Sequence, residues 1–149
     1  MRISFKGDYA LKTILDLSCN YAKGLSRIGD IARRQDIPLK YLEQILLQLK
    51  GGGYVISKRG TEGGYMLAKK PSSITIGEII RLTEGFTSPI SCVSSSCKSK
   101  CNDETRCPFR PLWQDIKEMI NGVVDRVTFE DMCHKKETLE KNKIVNYEI

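Results

Sequence analysis

The chain has 149 residues, of which 40% are hydrophobic and 28% are charged, a composition typical of a folded globular protein rather than a disordered one. No apolar run approaches the roughly 18 residues that a membrane helix requires. Charges at the start of the chain fall where a signal peptide would carry its apolar segment. We therefore expect a cytoplasmic protein with no membrane partner. Thiols stay reduced there, so the six cysteines favour metal or redox chemistry over structural disulfides.

The net charge of +6 is concentrated in the first half of the sequence. Residues 1–71 hold 13 Lys and Arg against 6 Asp and Glu, whereas residues 72–149 hold 11 against 12. A net charge of +7 beside one of −1 favours a module that binds a polyanion, joined to a part with a different role. A basic but merely solvated surface would give the same charges, so the hydrophobic pattern has to decide between the two.

Three helices are predicted from the spacing of apolar residues in the first 53 positions. The first covers DYALKTILDLSCNYAKG and ends at Gly24, with Cys19 expected to be a small buried core residue. The second covers LSRIGDIARRQDI, and the third covers IPLKYLEQILLQLKGGG with Pro38 in its first turn. The inward-facing residues of the third helix are Leu42, Ile45, Leu46 and Leu49.

The hydrophobic period then changes from 3.6 to 2, which indicates two short strands, YVISKRG and GGYMLAKK, in a hairpin. Three helices followed by a hairpin are the element order of a winged helix-turn-helix, whose third helix enters the major groove of DNA. A small helical domain that ends in a hairpin would show the same order. Charge and exposed polar residues favour the DNA-binding alternative, so we predict a mainly α-helical protein with a β-hairpin wing that binds double-stranded DNA.

The sequence divides into four predicted segments. Residues 1–71 form the winged helix-turn-helix, 72–90 a connecting helix and loop, 91–110 a cysteine-rich loop, and 111–149 a long dimerisation helix with a C-terminal tail. Apolar residues recur there in steps of 3 and 4, at Trp113, Ile116, Ile120, Val123 and Val127. Such a narrow seam is typical of one helix lying against another. The chain's own first domain could be that neighbour, but a homodimer is expected because two-fold DNA readers need one.

The sequence resembles the Rrf2-type winged helix-turn-helix regulators, the family that includes IscR, NsrR and CymR. The likeness runs from Met1 to about Thr128 and is carried jointly by KGDYAL, YLEQIL, RGTEGGYML, TIGEIIRLTEG and CPFRPLW. It implies a dimer on a pseudo-palindromic operator and no enzymatic activity. The base contacts that the resemblance implies are Tyr41, Glu43, Gln44 and Arg59.

Elementary chemistry agrees with these base contacts. The Gln44 amide can pair with adenine, the Glu43 carboxylate can accept a hydrogen bond from cytosine, and Arg59 at a hairpin tip can enter a narrow minor groove. Tyr41 could equally be a packing residue. The predicted phosphate contacts, which position a protein without reading bases, are Lys40, Ser57 and Lys58.

Four cysteines, Cys92, Cys97, Cys101 and Cys107, lie within sixteen residues in the spacing C-x4-C-x3-C-x5-C. Zinc fits this spacing poorly, because structural zinc sites usually pair their ligands in two separated knuckles. A reactive thiol switch near basic residues fits it, and so does an iron–sulfur cluster. The resemblance favours the cluster, either [2Fe–2S] or [4Fe–4S].

Two departures from the family pattern concern the cluster ligands. Members that bind clusters commonly carry C-x5-C-x5-C, and Cys101 and Cys107 match its second and third cysteines. The first would fall at Ser95, so Cys92, Cys97 or both could complete the set. Arg110 stands where the biogenesis regulators have a histidine ligand.

Asp8 has two interpretations. The resemblance implies an oxygen ligand reaching the cluster of the partner subunit, as an acid does at this position in NsrR-like sensors. Its alternative is the N-cap of the first helix. His134, the one histidine, is expected to lie at the surface. Cys133 beside it is expected to be structural or incidental, with a reactive thiol as the alternative.

The resulting prediction is a transcriptional regulator of the repressor kind. An iron–sulfur cluster on the cysteine-rich loop would control its operator binding in response to cluster status, iron, oxygen or nitric oxide. A cluster-free thiol-sensing or metal-sensing regulator of the same fold is the first alternative. A more distant one is an iron–sulfur electron-transfer protein, against which the chain shows no flavin or nucleotide fingerprint.

Overall fold

The computed structural model describes residues 3–94 and 103–145, with side chains described up to residue 142. Within these residues the chain forms six α-helices and one antiparallel hairpin, which confirms the predicted fold class. In chain order the elements are α1 (Phe5–Cys19), α2 (Ile28–Gln35), α3 (Leu39–Gly51), β1 (Val55–Lys58), β2 (Gly64–Leu67), α4 (Ile76–Glu84), α5 (Arg110–Val124) and α6 (Phe129–Val145). No helix in the described part of the chain is both long and apolar enough to cross a membrane.

Helix α1 begins earlier than predicted because Ser4 supplies its N-cap. The Ser4 hydroxyl accepts a hydrogen bond from the Gly7 N–H at 3.2 Å, so the helix includes the residues before Asp8. Asp8 therefore lies within the first turn, and its interpretation as the N-cap is wrong. The Asp8 carboxylate instead pairs with Lys12 at 2.8 Å, one helical turn onward. It also lies near the positive end of the helix dipole, which stabilises an acid.

The end of α1 also differs from the prediction. The helix stops at Cys19, where Asn20 is the C-cap and its side-chain amide donates to the Asp16 carbonyl at 2.9 Å. A short 3-10 helix, Tyr21–Lys23, follows before Gly24, which has a φ of +80°. The predicted stop at Gly24 thus marks the end of the 3-10 turn and not of α1. At α3, Pro38 is the N-cap rather than part of the first turn, since its carbonyl accepts from the N–H groups of Tyr41 and Leu42 at 3.0 Å.

A single hydrophobic core joins α1, α2, α3 and the hairpin with residues that follow the wing. Its fully buried members include Ile14, Ile31, Leu42, Leu46, Leu49, Val55, Ile74, Ile79 and Phe129. The four inward-facing positions predicted for α3 are all buried, which confirms the face assigned to that helix. Because Ile79 of α4 and Phe129 of α6 share this core, those helices are packed directly on the three helices and the hairpin of the first half of the chain.

Helices α1 and α2 are also joined by a buried charged cluster. The Asp16 carboxylate is only 2% exposed, and Arg34 donates to it from Nε at 2.9 Å and Nη2 at 2.7 Å. Gln35 adds a third hydrogen bond at 3.0 Å. Hydrogen bonding to Asp16 raises the pKa of Arg34, so the guanidinium is charged at every pH at which the fold exists. The cluster fixes α2 against α1 and thereby sets the position from which α3 departs.

The single long helix expected after the cysteine-rich loop is two helices. The chain leaves α5 at Val124, and residues 74–76 and 127–129 then pair as short extended segments, with Ile76 N–H on Val127 and Phe129 N–H on Ile74 at 3.0 Å. Thr128 and Asp131 cap the start of α6 reciprocally, and the hydrogen bonds from Thr128 lower the pKa of Asp131. Val127, assigned to the apolar seam, therefore lies between the helices and outside the seam.

Candidate functional site

Helix α3 presents one polar face to solvent. With Leu42, Ile45, Leu46 and Leu49 buried in the core, the polar side chains and the phenol that remain exposed in its first two turns, beside Leu39, are those of Lys40, Tyr41, Glu43 and Gln44. These are the residues that the sequence assigned to base and phosphate contacts. They form an exposed surface with amide, carboxylate, phenol and ammonium groups, the groups that can recognise base edges and phosphate oxygens.

Tyr41 makes an aromatic packing contact, the second of its two predicted interpretations. Its ring packs edge-to-face on Tyr9 of α1, with the ring centroids 6.3 Å apart, and Phe5 lies 6.4 Å from Tyr9 in turn. The Tyr41 side chain nevertheless remains 57% exposed. The aromatic contact therefore holds the ring against Tyr9 of α1, while more than half of Tyr41 stays exposed to solvent.

The hairpin forms a wing beside α3. Strands β1 and β2 pair from Val55 opposite Leu67 to Lys58 opposite Gly64. Gly60 in the connecting loop adopts a φ of +112°, which favours glycine, and no Cβ would fit at Gly63 against the carbonyl of Lys58. The loop is thus tight, and it leaves the side chains of Lys58 and Arg59 exposed at its tip.

Ser57 has a hydrogen-bond partner that the sequence did not predict. Its hydroxyl accepts from Lys50 Nζ at 2.7 Å, and Ser57 is partly buried. Lys50 lies in the last turn of α3, so this contact ties the end of the helix to the wing. A basic residue in the last turn of a helix is common, so nothing in the sequence indicated that Lys50 contacts the wing.

Arg27 is a second residue that sequence reasoning missed. It is the N-cap residue of α2, and its guanidinium donates to the Thr61 carbonyl of the wing loop at 3.1 Å. Next to it, Ser26 and Tyr65 exchange two backbone hydrogen bonds of 2.8 Å, which adds an extra rung to the hairpin. A cation at a helix start is opposed by the helix dipole, and this was the one available sign of another role. Arg27 holds the wing loop and adds a positive charge to the surface that it shares with Lys58.

Two of the four clustered cysteines lie within the described residues. Cys92 belongs to a short 3-10 helix, Ser91–Val93, that packs against α5, and Cys107 lies three residues before α5 begins. The Cys107 N–H donates to the Asp103 carbonyl at 2.9 Å. Both thiols are free and partly buried. Cys97 and Cys101 fall outside the described residues. The thiol donors fit the soft sulfur ligation that an iron–sulfur cluster requires.

Arg110 and Asp8 are the two positions that the sequence singled out for a non-cysteine ligand, the first because a histidine is missing there. Arg110, in the place of a histidine, pairs with Glu104 at 2.6 Å and so fixes the residues ahead of α5. Asp8 lies at an open cavity of about 560 Å³ at the N-terminal end of α1, which is lined also by Ile3, Ser4 and Phe5. In the described part of the chain, no three His, Cys, Asp or Glu side chains come together as a metal site.

Cys19 is not the core residue that the sequence predicted. It is exposed at the end of α1, and its Sγ lies 2.9 Å from the Sγ of Cys133 on α6. The prediction assumed that helical spacing from Leu15 continues into the core, whereas α1 ends at Cys19, where α6 lies against it through Cys133. His134 is exposed, as predicted.

Comparison with known proteins places this geometry in a family. The family profile described as Rrf2, iron-dependent transcriptional regulator, matches residues 3–135. The chain belongs to the Rrf2 family of transcriptional regulators. The HTH-type transcriptional regulator IscR of Klebsiella pneumoniae (strain 342) is 35% identical over 140 residues, covering 94% of this chain and 84% of that protein.

Solved structures agree with the Rrf2 assignment. CymR (YrzC), the global cysteine regulator of B. subtilis, superposes with a TM-score of 0.77 at 33% identity, covering 91% of this chain and 98% of CymR. IscR of T. potens superposes with a TM-score of 0.75 at 30% identity, covering 93% and 90%. These relatives are transcriptional regulators and not enzymes. For this Rrf2 protein, the prediction of a transcriptional regulator and the prediction of no enzymatic activity are both confirmed.

Proposed function

We propose that this Rrf2 protein is a homodimeric repressor that binds a double-stranded DNA operator in the cytoplasm under the control of an iron–sulfur cluster. One observation carries the cluster assignment. Free, partly buried thiols at Cys92 and Cys107 flank the segment that leads into α5, in a family described as iron-dependent. Two further cysteines, Cys97 and Cys101, lie between them in the sequence.

DNA binding uses the surface formed by α3 and the wing. Glu43, Gln44 and Arg59 are the base-reading residues of this proposal, with Tyr41 beside them. Phosphate contacts come from exposed cations on both sides of this face, and these are Lys40 and Lys58, to which the structure adds Arg27. Ser57 acts through Lys50, since its hydroxyl is already engaged.

Arg59→Ala is expected to weaken operator binding by about 1–3 kcal/mol, or roughly five- to 150-fold, because a well-placed arginine contact in a groove has that value. The measurement is a binding titration on a selected operator at several salt concentrations. Arg126→Ala is the matched control, since Arg126 is exposed and lies after α5. Equal losses in the two variants would contradict a specific role for the wing arginine.

The dimer in this proposal forms through an exposed apolar stripe on α5. Leu112, Met119 and Val123 are all about half exposed or more, and with Ile116 they recur in steps of 4, 3 and 4. At about 100° per residue these four side chains lie within about 60° of one another on the helix. Beside Val123, a groove of about 330 Å³ continues the apolar surface over Leu11, Leu15, Met132 and neighbouring residues. A second copy of the same helix is the occupant that such a stripe fits.

The four cysteines are the residues that would hold the cluster. A bound iron–sulfur cluster supplies a redox-active, oxidant-sensitive centre. Cys92 is fixed by the 3-10 helix that packs on α5, and Cys107 by its backbone bond to Asp103 and by the Glu104–Arg110 pair beside it. These contacts connect the thiols to the start of α5, which carries the dimer stripe, so a change at the thiols reaches the spacing of the paired α3 helices through α5.

Asp8→Ala separates a ligand from a purely structural acid. The lost pair with Lys12 is partly exposed on both sides, so the free energy of unfolding should fall by only about 0.3–0.5 kcal/mol. If Asp8 ligates the partner's cluster, the variant instead shows a changed visible spectrum and faster cluster loss in air. An unchanged spectrum and decay rate would leave Asp8 as a partner of Lys12 alone.

A cluster-free thiol-sensing or metal-sensing regulator is the second candidate. The likeness to CymR, whose name describes a cysteine regulator, favours it, and so does Arg110 in place of the histidine ligand. Metal and sulfide content distinguish the two candidates.

A further inference from the structure

Two cysteines outside the cysteine-rich segment lie in direct contact. Cys19 ends α1 and Cys133 lies in the second turn of α6, 114 positions further along the chain. Their Sγ atoms are 2.9 Å apart, which is about 0.9 Å more than a disulfide bond. Two thiols brought together by different helices already have the approach that a disulfide requires.

The pair is open to small molecules on one side. Cys19 is exposed, whereas Cys133 is partly buried behind it. Both line a surface cavity of about 290 Å³, whose lining also includes the side chains of Lys70, Glu130 and His134. Burial first, and then the hydrogen bond with Cys19, raises the pKa of Cys133 to about 12, so this thiol is protonated at neutral pH. An oxidant therefore meets Cys19 first and Cys133 second.

We propose that Cys19 and Cys133 are an oxidisable dithiol, which a peroxide converts into a disulfide joining α1 to α6. In the first step the Cys19 thiol attacks the peroxide, the O–O bond breaks, and Cys19 sulfenic acid and water form. In the second step the Cys133 sulfur attacks the Cys19 sulfur, the S–O bond breaks, and the proton of Cys133 leaves with the hydroxide as a second water. Two thiols have then lost two electrons to one hydrogen peroxide.

The bond would act on a different part of the molecule from the cluster. Neither Cys92 nor Cys107 lines the Cys19 cavity. A link between α1 and α6 fixes the segment between α5 and α6 against the core, since α6 follows α5 after a short break. In a reducing compartment such a bond forms only transiently, as sensing disulfides do. The dithiol is thus a second redox input whose chemistry does not depend on the proposed cluster.

Peptide mapping of the full-length protein tests this directly. Trypsin cleavage after Lys12, Lys23, Arg126 and Lys135 leaves Cys19 in residues 13–23 and Cys133 in residues 127–135, each without another cysteine. Reduced protein is treated with one equivalent of hydrogen peroxide, alkylated with iodoacetamide, digested and analysed by mass spectrometry. We expect these two peptides to be linked with loss of two hydrogens, alkylation of both cysteines to be largely lost, and dithiothreitol to restore it.

Single serine variants supply the controls. In Cys133→Ser the linked peptide should disappear, and Cys19 should accumulate as a sulfenic acid that dimedone traps. Oxidation should raise the melting temperature of the wild type, but not that of Cys19→Ser or of Cys133→Ser. Full alkylation of Cys19 and Cys133 after peroxide would overturn the proposal. A link from Cys19 to the 92–107 cysteines or to Cys19 of a second copy would overturn it equally. Because the two peptides exclude residues 92–107, loss of a cluster cannot imitate either result.

Discussion

Arg34→Ala is expected to lower the free energy of unfolding by about 3–5 kcal/mol, a large part of the stability of a domain this size. The substitution removes two of the three hydrogen bonds to Asp16 and leaves a carboxylate that is 2% exposed without its cation. Gln35 alone remains, and an amide cannot neutralise the buried charge. Urea denaturation followed by circular dichroism measures the loss.

Arg33→Ala is the matched control on the same helix. Arg33 pairs with Asp30 at 2.7 Å, but its side chain is 78% exposed, so the expected loss is below about 0.5 kcal/mol. If the two alanine variants unfold at the same urea concentration, the buried cluster does not fix α2 to α1 as described. Operator binding per folded molecule should fall only for Arg34→Ala, because α2 positions α3.

Met119→Asp should raise the dimer dissociation constant by about 100-fold or more, since an unpaired carboxylate would be buried between two α5 helices at a cost of at least about 2–3 kcal/mol. Met119 is 65% exposed within one chain, so the subunit itself should fold normally. Sedimentation equilibrium at micromolar concentration measures the shift from dimer to monomer. Operator binding should weaken with it, because each half-site needs one subunit.

Gln114→Asp adds the same carboxylate on the other side of α5. Gln114 is exposed and lies about 200° around the helix from Leu112, away from the apolar stripe. This variant should remain a dimer. A monomeric wild type, or equal dissociation in both aspartate variants, would show that the stripe is not the dimer contact.

Periodicity predicted the elements whose apolar faces are long. Four buried residues at helical spacing were enough to orient α3, and its polar face could be assigned without a structure. The alternation in the two strands located the wing equally well. In these elements local pattern and tertiary burial agree, so the sequence is sufficient.

Competing local signals explain why two helix boundaries, the start of α1 and the break between α5 and α6, were predicted wrongly. Ser4 and Asp8 are both good N-caps, and the apolar pattern that follows Asp8 concealed the earlier start. The sequence TFED after Val127 contains the Thr128–Asp131 cap of α6. The apolar residues before it recur in steps of 3 and 4, however, and that spacing suggested an unbroken helix. The sequence did contain both capping signals, and they deserved more weight than the spacing of apolar residues.

Contacts between distant segments could not be predicted at all. Cys19 and Cys133 are 114 positions apart, and their contact depends on where α6 packs after the break at residues 125–128. The contact of Arg27 with the wing loop and that of Lys50 with Ser57 likewise arise only once the hairpin folds back on α2 and α3. The seam predicted on α5 included Trp113 and Ile120, which are partly covered within one chain, whereas Leu112 and Met119 on the same helix are exposed.

Control of operator binding by an iron–sulfur cluster requires that the protein hold one, and anaerobic purification shows whether it does. The visible spectrum is recorded together with iron and acid-labile sulfide per chain, for the wild type and for Cys107→Ala and Cys19→Ala. We expect a brown protein with equal iron and sulfide, loss of both in Cys107→Ala, and retention of both in Cys19→Ala. A colourless wild type that contains zinc, or no metal, would contradict the account and favour the thiol-sensing or metal-sensing alternative.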